Sequence, residues 1–401
     1  MASMVEAGEA KVEIIEASSN PIILRRKIKE DIGYKYWYPK LRENSAETEV
    51  IELNSNQLDF LLGKETEEKK DTNLQELSDA IDRVIKDRFE GADVIVKLNV
   101  AGPYEDFFSS EQVSPELRDN IRIQVLSQVE LERQLGRAAD CSRKGTFRRR
   151  MTLPQEAREQ PNHVPRSALK EESSSDAHNV QSVNEPLENA VLRAFNCKLI
   201  ESLHVSSGKL AVNQLMNSPN IQFHLKQIYD VNGSWDASLP IYVVVRKWNK
   251  DFARYPGMRL RGFVTDNTLR ALTQKDTLVY YPNLANHQSR IQERINSFYV
   301  TYIAEKFKDL KKYIVDFFVG PDYILVTNLL PYDRTVGACL FTWPCLDSLR
   351  EEDTLNFRIV CDPCLNCLTS LPSFWEKEML LAVVDLQKHS QLPAGRTCSL
   401  V

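Results

Sequence analysis

The sequence predicts an α+β fold, on three observations. Strand-length apolar runs cluster at residues 240–281 and again at 313–330. A long amphipathic helix, roughly His287 to Lys312, separates them, with Ile291, Ile295, Phe298, Tyr302 and Leu310 on one stripe. Strands and helices are mixed without the strict alternation that builds a parallel sheet with crossover helices.

Along the chain, residues 1 to about 30 read as a mobile tail. Order is expected from Tyr34-Lys-Tyr-Trp-Tyr-Pro39, where four aromatics precede a proline that limits helix continuation. Glu49-Val-Ile-Glu-Leu53 has strand length. A charged linker, Lys64 to Asp71, leads into a helix that spaces Leu74, Leu77, Ile81, Val84 and Ile85 along one face. Asp93-Val-Ile-Val-Lys-Leu-Asn-Val100 reads as a buried strand carrying one lysine. From about 140 to 187, charge and proline without apolar period predict a disordered insertion. Pro240 to Trp248, Arg259 to Val264 and Thr277 to Tyr281 read as strands, with Thr265-Asp-Asn267 as the turn after the second. Residues 31–345 are expected to form the main body, and 346–401 a C-terminal extension. There is no internal repeat.

The composition narrows the function classes. Lys and Arg number 51 against 56 Asp and Glu, a net charge of −5, which argues against a general nucleic-acid binder. No apolar run approaches the roughly 18 residues of a membrane helix, and the acidic N-terminus lacks a signal-peptide core. The eight cysteines are thinly scattered except near the C-terminus, so reduced thiols and a cytoplasmic location are expected. No Gly-rich phosphate loop, nucleophile constellation or His ligand spacing stands out.

Three features invite chemistry. Lys97, inside an apolar strand, either snorkels to the strand edge or points into a polar cleft. Arg246 and Arg261 pose the same choice, with Asp276 as a cross-sheet partner if they are structural; Trp248 reads as packing rather than recognition. The third feature is a hairpin, Tyr313–Val319 and Tyr323–Leu330 around Gly320-Pro-Asp322. If those three residues form the loop, Val319 pairs with Tyr323 and Asp316 with Val326. Asp316, Val326, Asn328 and Leu330 then share one face, with Asp316 and Asn328 as diagonal neighbours roughly 7 Å apart. Asp316 is either a ligand for a small cation or a satisfied strand aspartate.

Weaker signals lie elsewhere. Cys361, Cys364 and Cys367 have metal-like spacing but need a recruited fourth ligand, such as Cys345. Cys398-Ser-Leu-Val401 fits the prenylation format poorly. Arg149-Arg-Met-Thr152 offers a threonine to a basophilic kinase.

Several segments, in order, resemble the cell division cycle protein 123 family. Trp37-Tyr38-Pro39 with Asn54-Ser-Asn-Gln-Leu-Asp-Phe-Leu-Leu62 resembles its N-terminal signature, and Val96-Lys-Leu-Asn-Val-Ala-Gly-Pro103 its Pro-Lys-Leu-Asn-Trp-Ser-Ala-Pro. Arg246-Lys-Trp248, Pro256-Gly257, Arg261-Gly-Phe-Val264 and Gln274-Lys-Asp276 with Tyr280-Tyr281 resemble its central block. Ile314-Val-Asp-Phe-Phe318 and Leu340-Phe-Thr-Trp343 resemble the segments flanking its metal site. The resemblance covers about residues 34–107 and 190–345.

The resemblance implies a two-lobed ATP-grasp-like fold and a role in assembling translation initiation factor 2 through its gamma subunit. It implies ATP and Mg²⁺ as cofactors, with Lys97, Arg246, Arg261, Asp316 and Asn328 around the nucleotide and Asp316 and Asn328 on the metal. Lys97 matches a phosphate-contacting lysine, and Arg246 falls at the nucleotide cleft or the partner surface. The chain departs from the pattern where Asn328 stands for Asp, Leu330 for Asn, Val100 for Trp, Tyr104 for Arg and Tyr242 for Glu. Losing one carboxylate costs on the order of a few kcal/mol of divalent-metal affinity, roughly a hundredfold. The competing readings are an ATP-grasp ligase or kinase, which needs a complete metal site, and a diverged paralogue acting as a nucleotide-free scaffold.

Overall fold

The computed structural model describes residues 33–64, 67–102, 115–149, 186–232, 234–235, 240–350, 354–364 and 366–390. The expected N-terminal tail, most of the expected insertion, Tyr104, Thr152 and Cys398 lie outside the described residues.

Two antiparallel-rich sheets organise the chain. β1 (Thr48–Glu52), β2 (Val94–Leu98) and β3 (Tyr242–Lys247) form a three-stranded sheet in the order β1-β3-β2. β4 (Arg259–Thr265), β5 (Thr268–Gln274), β6 (Lys312–Val319), β7 (Ile324–Pro331) and β8 (Asn356–Arg358) form a second, in the order β7-β6-β4-β5-β8. The architecture is α+β, as the mixed pattern predicts.

Alternation assigns each face of the smaller sheet. Val94, Val96 and Leu98 of β2 and Val243 and Val245 of β3 bury against two helices, α1 (Glu67–Phe89) and α2 (Gly208–Met216). Leu77, Ile81 and Ile85 recur every four residues on α1 and fill that layer. Gly208 opens α2 where the two helices touch: its N–H donates to Asp82 Oδ1 at 2.6 Å, and a Cβ there would collide with the Ser78 carbonyl. The short helix Tyr34–Lys40 keeps Pro39 in its last turn, and Trp37, 1% exposed, anchors it in the larger core.

The β4–β5 hairpin turns through Asp266 and Asn267 at positive φ, 48° and 56°, the conformation a two-residue hairpin loop requires. The β6–β7 hairpin differs from the expected register. Val319 pairs with Ile324, the Gly320 N–H donates to the Tyr323 carbonyl at 2.9 Å, and a bulge follows Asp316. Asp316 therefore lies directly opposite Asn328, and Thr327 is the residue left out of register.

Residues 277–281 are not a strand. The partner of β4 is the preceding stretch 268–274, and the apolar run after it is a loop. Its backbone is held by side chains: Asn189 Oδ1 accepts from the Tyr280 N–H and Asn189 Nδ2 donates to the Tyr280 carbonyl, both at 3.0 Å. The long helix ends at Tyr302 rather than Lys312, where the chain turns so that Phe307 reaches the core.

Described parts of the stretch 346–401 pack against the rest of the chain. β8 pairs in parallel with β5, and α3 (Ser373–Ser390) packs on the helices Pro115–Arg149 and Leu187–Glu201. Trp375, 0% exposed, meets Phe195 with ring centroids 4.8 Å apart. The helix Pro115–Arg149 also runs into the first ten positions of the expected insertion.

Candidate functional site, a cation-lined cleft

The face of the small sheet opposite its valine layer carries the charges. Lys97 stands opposite Val244, and Arg246 opposite Ile95, so the two cations are diagonal neighbours across β2 and β3. In the larger sheet one row runs Asn328, Asp316, Arg261, Thr273 across β7, β6, β4 and β5. The two faces border one cleft of about 460 Å³ that brings together Lys97, Arg246, Arg261, Asp316 and Asn328.

Asp316 is the electrostatic centre. It is 1% exposed, and burial by itself would push its carboxyl up. The charges of Arg261 and Lys275 and their hydrogen bonds outweigh that and hold it well below the usual carboxylate range. Arg261 Nε donates to Oδ1 at 2.8 Å and Nη2 to Oδ2 at 3.0 Å, a two-pronged fork, while Lys275 Nζ donates to Oδ2 at 2.9 Å. Arg261 also donates through Nη1 to the Gly337 carbonyl at 2.7 Å. Its carboxylate partner is thus Asp316, not Asp276. The latter lies in a separate buried cluster with Tyr281, whose hydroxyl donates at 2.7 Å, and with Asn196; burial raises its carboxyl.

Arg246 reaches across the cleft. Its Nη2 donates to the Thr327 carbonyl at 3.0 Å, and its buried Nε has no hydrogen-bond partner among the described residues. Trp248 packs: it stacks on His204 at 5.2 Å and meets Phe252 edge-on at 6.1 Å.

Lys275 and Arg259 also line the cleft and were not picked out in the sequence. The signal for Lys275 was its place one residue past a strand end. Among the described lining residues, five cations (Lys97, Arg246, Arg259, Arg261 and Lys275) face one carboxylate. Such a cleft is suited to a multiply charged anion.

The pair Asp316 and Asn328 does not fit a divalent ion as it stands. Both Asp316 oxygens already accept from cations, and Asn328 offers one neutral amide oxygen. No cluster of three or more His, Cys, Asp or Glu able to hold a metal occurs among the described residues. Cys367 is buried while Cys361 and Cys364 are exposed, and the Cys345 sulfur accepts from Arg358 at 3.3 Å. No helix of the described residues is long and apolar enough to cross a membrane.

Residues 200–385 match the family model described as D123. Over that segment the chain is similar to the cell division cycle protein 123 family. That family's segment holds Arg246, Arg261, Lys275, Asp316 and Asn328, and reaches through β8 into α3. A protein of Dictyostelium discoideum named translation initiation factor eIF2 assembly protein is 29% identical over 146 residues, 36% of this chain and 36% of that relative. Cell division cycle protein 123 of Candida glabrata is 29% identical over 151 residues, 36% of this chain and 41% of its own. These alignments span less than half the length of the curated relatives. C-terminally truncated Cdc123 from Schizosaccharomyces pombe superposes with a TM-score of 0.51 at 14% identity, over 84% of this chain and 96% of that one. That likeness establishes a shared fold.

Proposed function

We propose that the chain is a cytoplasmic assembly factor for translation initiation factor 2, acting through the gamma subunit, and that its cleft holds the phosphates of a nucleotide such as ATP. The assembly role is supported by the likeness to a protein named for it. The nucleotide role is carried by one observation, the five cations against one carboxylate among the described residues lining the cleft between the sheets. In this reading the two sheets are the lobes of an ATP-grasp-like body, with Lys97 and Arg246 on one and Arg261 and Lys275 on the other. An enzyme that transfers phosphoryl groups needs metal to neutralise the phosphates. The bonds already made by Asp316 favour a binding role instead.

Two measurements test the reading. The chain is expected to co-purify with the gamma subunit and to restore three-subunit assembly in cells depleted of the authentic factor; failure of both removes the assembly role. Calorimetric titration with ATP checks the cleft separately, and absence of binding under all conditions leaves a nucleotide-free scaffold.

A further inference from the structure

We propose that the cleft takes a nucleoside triphosphate as the free anion, without a divalent metal, with Arg261 and Lys275 occupying the electrostatic role a metal would fill. This rests on the phosphate-holding reading of the cleft.

The geometry around Asp316 carries it. A divalent ion at a carboxylate needs open oxygen lone pairs and a net negative setting. Here three N–H bonds from two cations take three of the carboxylate's roughly four acceptor sites: Arg261 Nε at 2.8 Å and Nη2 at 3.0 Å, and Lys275 Nζ at 2.9 Å. Arg261 is fixed further by the Gly337 carbonyl at 2.7 Å, so it cannot swing away without breaking a third contact. The residue directly opposite Asp316 is Asn328, which supplies no charge, and two positions on stands Leu330, which supplies no donor atom. An incoming dication would have to displace one fixed cation while sitting beside the other.

The walls point the same way. Among the described lining residues there are five cations and one carboxylate. Free ATP carries more negative charge than its magnesium complex, so it complements such a wall better. Arg246 adds a buried Nε with no partner among the described residues, a donor for a phosphate oxygen.

Titration calorimetry of the full chain with ATP, once in EDTA and once in excess Mg²⁺, tests this directly. The expected result is an affinity in EDTA equal to or greater than that in Mg²⁺. Affinity that rises on adding Mg²⁺ overturns the inference and leaves the nucleotide reading intact. No binding in either buffer removes both. Lys275→Gln provides the second arm, since this half-exposed side chain can be replaced without emptying the core. It is expected to weaken ATP binding in EDTA by about tenfold, with an unchanged circular dichroism spectrum. Full retention of metal-free affinity by that folded variant also counts against the inference.

Discussion

The Arg246 side chain, rooted on β3, donates at 3.0 Å to the backbone carbonyl of Thr327, the residue that a bulge leaves out of the β6–β7 register. The bulge frees a carbonyl that a continuous ladder would have used, and a cation from the other sheet takes it up. The bond ties one wall of the cleft to the other.

Arg246→Ala is therefore expected to lower stability by about 1.5–3 kcal/mol, the range for a hydrogen bond to a charged donor. Amide exchange should accelerate at β7 more than at β1, since the lost contact lies between the sheets. Urea denaturation with hydrogen-exchange mass spectrometry checks both.

Asp316→Asn should be costlier. Arg261, 8% exposed, would keep its charge and lose its carboxylate. Breaking a buried pair in this way costs about 3–5 kcal/mol. Equilibrium unfolding in guanidinium gives the number.

The same aspartate predicts an acid limb. Its folded carboxyl titrates below the reference value of 3.8, so its stabilisation is present above that pH and is lost as pH falls through the folded value. Thermal melts taken from neutral to acid pH should fall more steeply for the native chain than for Asp316→Asn.

Asn189→Leu removes the amide that serves both main-chain groups of Tyr280. Two backbone polar groups would lose their partners at a loss of at least about 2 kcal/mol. The change should be visible as a lower melting temperature and faster exchange at 278–281.

Gly208→Ala places a methyl group against the Ser78 carbonyl, which is main chain and cannot rotate aside. The helices Glu67–Phe89 and Gly208–Met216 must then part, at about 1–3 kcal/mol. Chemical denaturation against the native chain measures it.

Much of this was legible in the sequence. The β6–β7 hairpin was, because β-rich runs flank a Gly-Pro-Asp turn, whereas for Lys97 and Arg246 the residues alone left a strand edge and a polar cleft open. The register was not. A bulge has no local signature here, and Thr327 is as ordinary in a ladder as outside one. The loop 277–281 looked like a strand because its side chains are buried, while the partner of its backbone sits 91 positions away on Asn189. Lys275 was overshadowed by its neighbour Asp276, which belongs to a different cluster. β8 has only three residues and pairs in parallel, too short a run to show a period.

The closure of the body by Ser373–Ser390 has a consequence for how the protein is made. Arg122 bonds to Asp385 across 263 positions, and Phe195 waits for Trp375. While the chain is still being synthesised, the helices Pro115–Arg149 and Leu187–Glu201 have emerged but their covering helix has not. The part of their apolar faces that Trp375, Met379 and Leu386 cover stays uncovered until synthesis has passed residue 386.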